Sequence, residues 1–216
     1  MKRIHLSHLV ACLAVITQFT VSACSPVKDV ADNKMNPAIE KNDTVKAFRF
    51  ELFQSGESAV YAYSGRPEYN YGSYYKRDMG SNEGWNYTID LEPMNALTKL
   101  AVDLKLSKYP YTELNDEDKS RDRWNIEVTF TNGKHVSIVN YITEANKDKD
   151  AKICDKATRV FKAIAITDKD GKMMGEFSKT TYSGGKPVKR IDYTSDGIVH
   201  GGRDYTIPNG APQPEF

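Results

Sequence analysis

From Trp124 to Phe130 the chain alternates without a slip: Trp124, Ile126, Val128 and Phe130 are apolar, and Asn125, Glu127 and Thr129 between them are polar. A period of two places every apolar side chain on one face of an extended strand, so this stretch specifies a sheet with one buried face. Asn132-Gly133 follows at once, a strong hairpin signal. Two registers compete. A two-residue turn pairs Phe130 with His135 and Val128 with Ser137. A three-residue loop with Gly133 at the bulge pairs Val128 with Val136 and Ile126 with Ile138. The second keeps more apolar side chains together, and a one-residue slip would turn the whole set toward water. It is the register expected, and it points His135 to solvent.

The same logic extends along the chain. Phe48, Phe50 and Leu52 alternate with Arg49 and Glu51, Ala59 to Tyr63 returns after a turn at Gln54 to Glu57, Tyr71 to Arg77 is a third strand, and Trp85, Tyr87, Ile89 and Leu91 mark a fourth. Pro93 suits the first turn of a helix, where a missing N–H costs nothing. Met94, Leu97, Leu100, Ala101 and Leu104 follow at helical spacing. Residues 148–164 form a second helix with Ile153, Cys154, Ala157, Val160, Phe161 and Ile164 on one stripe. Phe177 to Tyr182, Val188 to Tyr193 and Ile198 to His200 are short strands on Gly-containing turns. Consecutive strands on short turns favour antiparallel pairing. The expected fold class is α+β: an antiparallel sheet of consecutive hairpins, two helices packed on one face, and a C-terminal β-meander. Its core should contain Phe48, Phe50, Ile89, Leu97, Leu100, Leu104, Trp124, Ile126, Val128, Phe130, Val160 and Phe161.

Ahead of the domain stands an address. Residues 1–8 carry Lys2 and Arg3 and no acid, and Leu9 to Val21 is apolar apart from Thr17, Gln18 and Thr20. That is a charged n-region and an h-region too short for the ~20 residues of a spanning helix. Val21-Ser22-Ala23-Cys24 closes it, and these residues resemble the bacterial lipobox at every position. The resemblance implies a lipoprotein signal peptide over 1–23 and acylation of Cys24 as the mature N-terminus. With Ser25 in place of Asp, it implies a lipid-anchored position at the outer membrane, periplasmic or surface-exposed. An ordinary secretory signal ending at a cysteine is the alternative. One acyl chain holds only marginally at ~0.8 kcal/mol per buried methylene, so several are needed for a durable anchor. Residues 24–46 are polar, contain Pro26 and Pro37, and show no apolar period. They are expected to be a flexible tether, with a reach of roughly 26 Å. One α+β domain over 47–205 and a flexible, proline-containing tail over 206–216 complete the expected organisation.

Lys and Arg number 30 against 29 Asp and Glu, and the two signs are interspersed. Nucleic acid wants a basic face, which the sequence does not display, so nucleic acid is not an expected partner. Cys12 leaves with the signal and Cys24 is acylated, so Cys154 has no intrachain disulfide partner in the mature chain. In its apolar stripe it behaves as a small hydrophobe. His135 and His200 have no second ligand at metal spacing. Asp168-x-Asp170-Gly171 lacks the acid at Ile166 and the Glu at Phe177 that a calcium loop needs. There is no Gly-x-Ser-x-Gly, Gly-x-Gly-x-x-Gly or Walker motif. No metal or cofactor is expected.

The chain is dense in aromatics between Tyr61 and Tyr87. Tyr61, Tyr63 and Tyr87 fall at regular strand positions, which tyrosine favours. Tyr69, Tyr71, Tyr74 and Tyr75 lie in a less regular, Gly-containing segment and are the candidate ligand-binding residues, because aromatic rings bring large contact area at low entropic cost. The order of elements, with the Trp-x-Ile-x-Val-x-Phe run ending in Asn-Gly at Trp124 to Gly133, loosely resembles uncharacterised envelope lipoproteins of Bacteroidetes-type bacteria over Phe48 to Ile164. That resemblance carries no catalytic residues. Two functional classes stay open. The first is a non-enzymatic binding or accessory module for a glycan or protein partner, held to the membrane by its lipid. The second is a hydrolase acting on envelope or dietary polymers, whose carboxylate pairing cannot be read from spacing. The tether, the tyrosines and the missing catalytic motifs favour the first.

Overall fold

The computed structural model describes residues 34–209 together with 212 and 213. The signal peptide, Cys24 and the first part of the expected tether lie outside the described residues. Nine strands form a single antiparallel sheet: β1 (Val45–Gln54), β2 (Glu57–Arg66), β3 (Tyr71–Arg77), β4 (Glu83–Ile89), β5 (Arg123–Phe130), β6 (His135–Tyr141), β7 (Phe177–Ser183), β8 (Lys186–Tyr193) and β9 (Val199–Asp204). Their order is β6-β5-β1-β2-β3-β4-β7-β8-β9. Helix α1 (Pro93–Asp103) lies in the link from β4 to β5, and α2 (Lys147–Lys162) in the link from β6 to β7. The α+β class is therefore present. Both helices sit in the connections that must carry the chain back across the sheet.

The geometry of α2 fits that task. Near its N-terminus Asp150 accepts a hydrogen bond from Asn140 of β6 at 2.9 Å. Near its C-terminus the Phe161 ring meets Phe48, Tyr61 and Tyr74 of β1, β2 and β3. From β6 to β3 is four strand spacings, about 19 Å, and the turns of helix between those residues advance about 16 Å. Met94, Leu97, Leu100 and Ala101 of α1 share the core with Ile153, Cys154, Ala157 and Phe161 of α2. Thr98 ties α1 to the start of β1: its hydroxyl accepts from Val45 N at 2.8 Å and donates to Met94 O at 2.7 Å.

The Asn-Gly hairpin adopts the register its apolar pattern specifies, with Val128 opposite Val136 and Ile126 opposite Ile138. Gly133 holds φ at +84° in the three-residue loop, a left-handed conformation that costs a glycine nothing. His135 is exposed. The expected core residues are buried, except that Val160 is only partly so.

The tether differs from expectation within the described residues. Rather than running free to residue 46, the chain docks from Lys34 onward. Met35 bridges Pro110. Asn36 is buried, and its side chain bonds the backbone of Tyr109, Pro110 and Ser137. Asp43, also buried, accepts from Asn132 at 2.6 Å, Lys134 at 3.0 Å and the Glu40 N–H at 2.7 Å. Asn36 and Asp43 are polar and aperiodic in sequence, yet they act by satisfying backbone and side-chain groups at the β5–β6 end of the sheet. Hydropathy cannot report that. The expected tail at 206–216 is described only in part. There Thr206 bonds Asp204 through both its N–H and hydroxyl, and Asn209 accepts from Arg203.

Two measurements test this account. Ile126 is fully buried and flanked by Phe50 and Ile138, so Ile126→Ala should lower unfolding free energy by about 2–5 kcal/mol in urea denaturation. Asp43 is held below the ordinary carboxylate range by the Glu40 N–H, with Lys134 and Asn132 adding to it against the opposing effect of burial. A depressed folded pKa gives stability that is present above the unfolded value and lost as pH falls through the folded one. Asp43→Asn should therefore be less stable than wild type at neutral pH, and the gap should narrow as pH drops below 3.8.

Candidate functional site

The four candidate tyrosines do not assemble into one site. Tyr74 is 2% exposed, and its hydroxyl donates to Phe161 O at 2.9 Å. It is a core residue that ties β3 to the end of α2, and burial pushes its phenol above the usual range. Tyr75 is its neighbour in a strand and so faces the opposite way. It is half-buried, with its hydroxyl 3.0 Å from that of Tyr182. Its ring lies over Gly84, where any Cβ would collide with it. Tyr69 and Tyr71 are the exposed pair, 66% and 37% accessible, with ring centroids 6.0 Å apart at the β2–β3 turn. Alternation within β3 separates side chains that the sequence lists side by side. From Tyr71 onward the segment is a regular strand, although Gly72 makes it look irregular, whereas Tyr69 ends the 3-10 turn before it.

A different set of rings does come together. Strand register places Tyr63, Tyr74, Tyr87, Phe177 and Tyr193 directly opposite one another across β2, β3, β4, β7 and β8. Tyr74 stacks on Tyr87 at 6.3 Å, Tyr87 on Phe177 at 6.1 Å, and Phe177 on Tyr193 at 4.8 Å with planes only 7° apart. The row begins in the core and ends in the open. Tyr63, Tyr74 and Tyr87 are buried, whereas Phe177 and Tyr193 are half-buried.

The next row along the strands carries charge. Tyr61, Lys76, Trp85, Lys179 and Ile191 are opposite one another in register. Half-buried Trp85 thus lies between two lysines and stacks on both Tyr87 and Phe177. Lys179 Nζ is 5.6 Å from the Trp85 ring centre and Lys76 Nζ is 5.7 Å from that of Tyr87, within the range of cation–π attraction. Lys179 also pairs with Glu83 at 3.2 Å. Trp85, Phe177 and Tyr193 therefore make an aromatic shelf edged by ammonium groups. Lys76 is shared with a cavity of about 360 Å³ lined by Tyr74, Lys76, Asp78, Lys162, Ile164 and Ile166. Within it Asp78 accepts from Tyr61 at 2.5 Å and pairs with Lys162 at 3.3 Å. Burial opposes ionisation of Asp78, but these two partners outweigh it and hold the carboxyl low.

Sequence reasoning passed over Trp85, Phe177 and Tyr193 because each reads as an ordinary strand residue. The available signal was the shared parity of Trp85, Tyr87, Phe177 and Tyr193. Using it requires knowing that β7 pairs with β4, and two helices' worth of chain separate them in sequence.

The remaining chemical candidates resolve simply. Cys154 is buried and its thiol is pushed up to about 12 by that burial, with Asp150 and Asp155 adding to the effect, so it is not a thiolate near neutral pH. Asp168 Oδ1 accepts from the Asp170 and Lys172 N–H groups at 2.9 Å each, which makes the segment a self-bonded turn. Among the described residues no group of three or more His, Cys, Asp or Glu is placed to hold a metal. A hollow of about 200 Å³ gathers Glu176, Asp192 and His200, with Arg190 Nε donating to Asp192 at 2.6 Å.

No protein-family model, no curated protein and no solved structure matches this chain. The shelf therefore has to be read on its chemistry.

Proposed function

We propose that this chain is a lipid-anchored cell-envelope protein of the outer membrane and a non-enzymatic binding module. Its partner is a glycan or protein surface engaged by Trp85, Phe177 and Tyr193. The observation that carries the reading is the aromatic row that leaves the core at Tyr87 and becomes accessible at Phe177 and Tyr193. Stacked rings hold one another rigid, so a ligand meets a preorganised surface and little side-chain entropy is lost on binding. Lys76 and Lys179 on either side of Trp85 favour a ligand with acidic groups. The reading takes α1 and α2 to lie together on the face that carries these rings. The contacts of Phe161 with β1, β2 and β3 support this. The anchor is supported by the lipobox ending at Cys24. Among the described residues no helix is long and apolar enough to cross a membrane.

Two experiments follow. Metabolic labelling with a fatty-acid analogue should mark the wild type and not Cys24→Ala, and equal labelling of both would remove the anchor. A glycan array and an envelope-protein pull-down, run with wild type and Trp85→Ala/Tyr193→Ala, should show affinity falling at least about 30-fold, since two anchoring rings contribute about 1 kcal/mol or more each. Thermal melts of both proteins separate loss of the shelf from loss of the fold. Unchanged binding by a folded double variant would reduce the shelf to a structural role.

A further inference from the structure

Folding gathers charge that the sequence disperses. A groove of about 440 Å³ runs between the C-terminal end of α1 and the face of α2, lined by Leu104, Tyr109 and Ile153 together with Asp103 and five lysines. The lysines are Lys105 and Lys108 from the turn after α1, and Lys149, Lys152 and Lys156, three and four positions apart and so on one face of α2. Against them stands the single carboxylate Asp103, committed to Lys156 at 2.9 Å. Lys149 lies over the Tyr109 ring at 5.4 Å. Among the described residues Lys105, Lys108 and Lys152 have no carboxylate within ion-pairing distance. Lys105 is held at φ +53° just past the helix end, a position that glycine fills at lower cost. An apolar floor under a rim of ammonium groups suits a partner that is both anionic and amphiphilic.

The path of the chain identifies that partner. The N-terminal segment joins the domain beside this groove: Tyr111 N donates to Lys34 O at 2.7 Å, Asn36 N donates to Tyr109 O at 3.3 Å, and Met35 bridges Pro110. Met35 is 52% exposed, an apolar side chain next to the basic rim. Ten residue steps separate Lys34 from Cys24, a fully extended span of at most about 36 Å. An acylated Cys24 would therefore keep this end of the domain close to the lipid surface.

We propose that the lysine-rimmed groove docks onto the anionic headgroups of the membrane in which the chain is anchored, fixing the domain's orientation on the lipid surface. The proposal rests on the anchor reading for its geometry, and on the five lysines for its chemistry. Basic clusters at an anionic surface act through attraction that salt screens within about 10 Å, so docking is salt-sensitive where the acyl anchor is not.

The test is lysine acylation footprinting of the full chain on vesicles, with fatty-acid labelling scored in the same preparation. On phosphatidylcholine containing about 30% phosphatidylglycerol, Lys105, Lys108, Lys149, Lys152 and Lys156 should react at least about threefold more slowly than on phosphatidylcholine alone, and about 0.5 M salt should restore the rates. Lys169 and Lys186, outside the groove, should not change. The triple variant Lys105→Gln/Lys108→Gln/Lys152→Gln should lose protection at Lys149 and Lys156, and the corresponding arginine triple should keep it. Labelled protein whose groove lysines slow no more than Lys169 and Lys186 would overturn the docking and leave the anchor standing. Unlabelled protein would remove the anchor, and the same five rates at excess lipid would still decide the groove. Protection by soluble polyphosphate but not by the anionic vesicles would overturn the membrane as partner.

Discussion

One row of residues holds this sheet together. Val136, Val128, Phe48, Tyr63, Tyr74, Tyr87, Phe177 and Tyr193 lie opposite one another from β6 to β8, and a bulge at Tyr193 sets Val199 of β9 opposite the last of them. Cross-strand pairs are the unit of sheet stability, and here each residue between the two edge strands serves two pairs at once. A register slip at any hairpin would break the row and turn that strand's apolar set outward. The row from Val136 to Tyr87 is buried in the core. Phe177 and Tyr193 carry the same face onward as half-buried rings that keep one another ordered by stacking.

The polar contacts serve the same end by closing the sheet where apolar surface gives out. Thr98 and Val45 join α1 to β1. Asn36 occupies the backbone of the β6 side, where Ser137 N donates to its side chain and its amide returns bonds to Ser137, Tyr109 and Pro110. An exposed edge strand is a template for unwanted pairing, and residues 34–36 together with 109–112 cover part of β6 through these bonds and those of Thr112 to Ser137 and Val139. Asn36 and Asp43 are thus part of the fold, tied to the β5–β6 side of the sheet.

Two surfaces of contrasting chemistry result. The shelf of Trp85, Phe177 and Tyr193 offers rigid rings with a few cations, and the groove between α1 and α2 offers many cations over an apolar floor. The first suits a ligand recognised by shape and stacking, and the second a surface recognised by charge density. A near-neutral chain can carry both because like charges need only be neighbours in space.

The sequence by itself determined the strands, the helices and the register of the β5–β6 hairpin, because those follow from local periodicity and a turn residue that tolerates positive φ. The buried set from Phe48 to Phe161 was legible for the same reason. Only the tertiary structure decided which strands are neighbours, and with that which rings meet. Tyr74 and Tyr75 part to opposite faces, while Trp85, Phe177 and Tyr193 converge from positions as far apart as β4 and β8. The five lysines likewise become a groove only when α2 packs beside the turn that ends α1. Pattern in a chain reports distance along it. Stacking and electrostatic fields depend on distance through space, which long-range pairing alone sets.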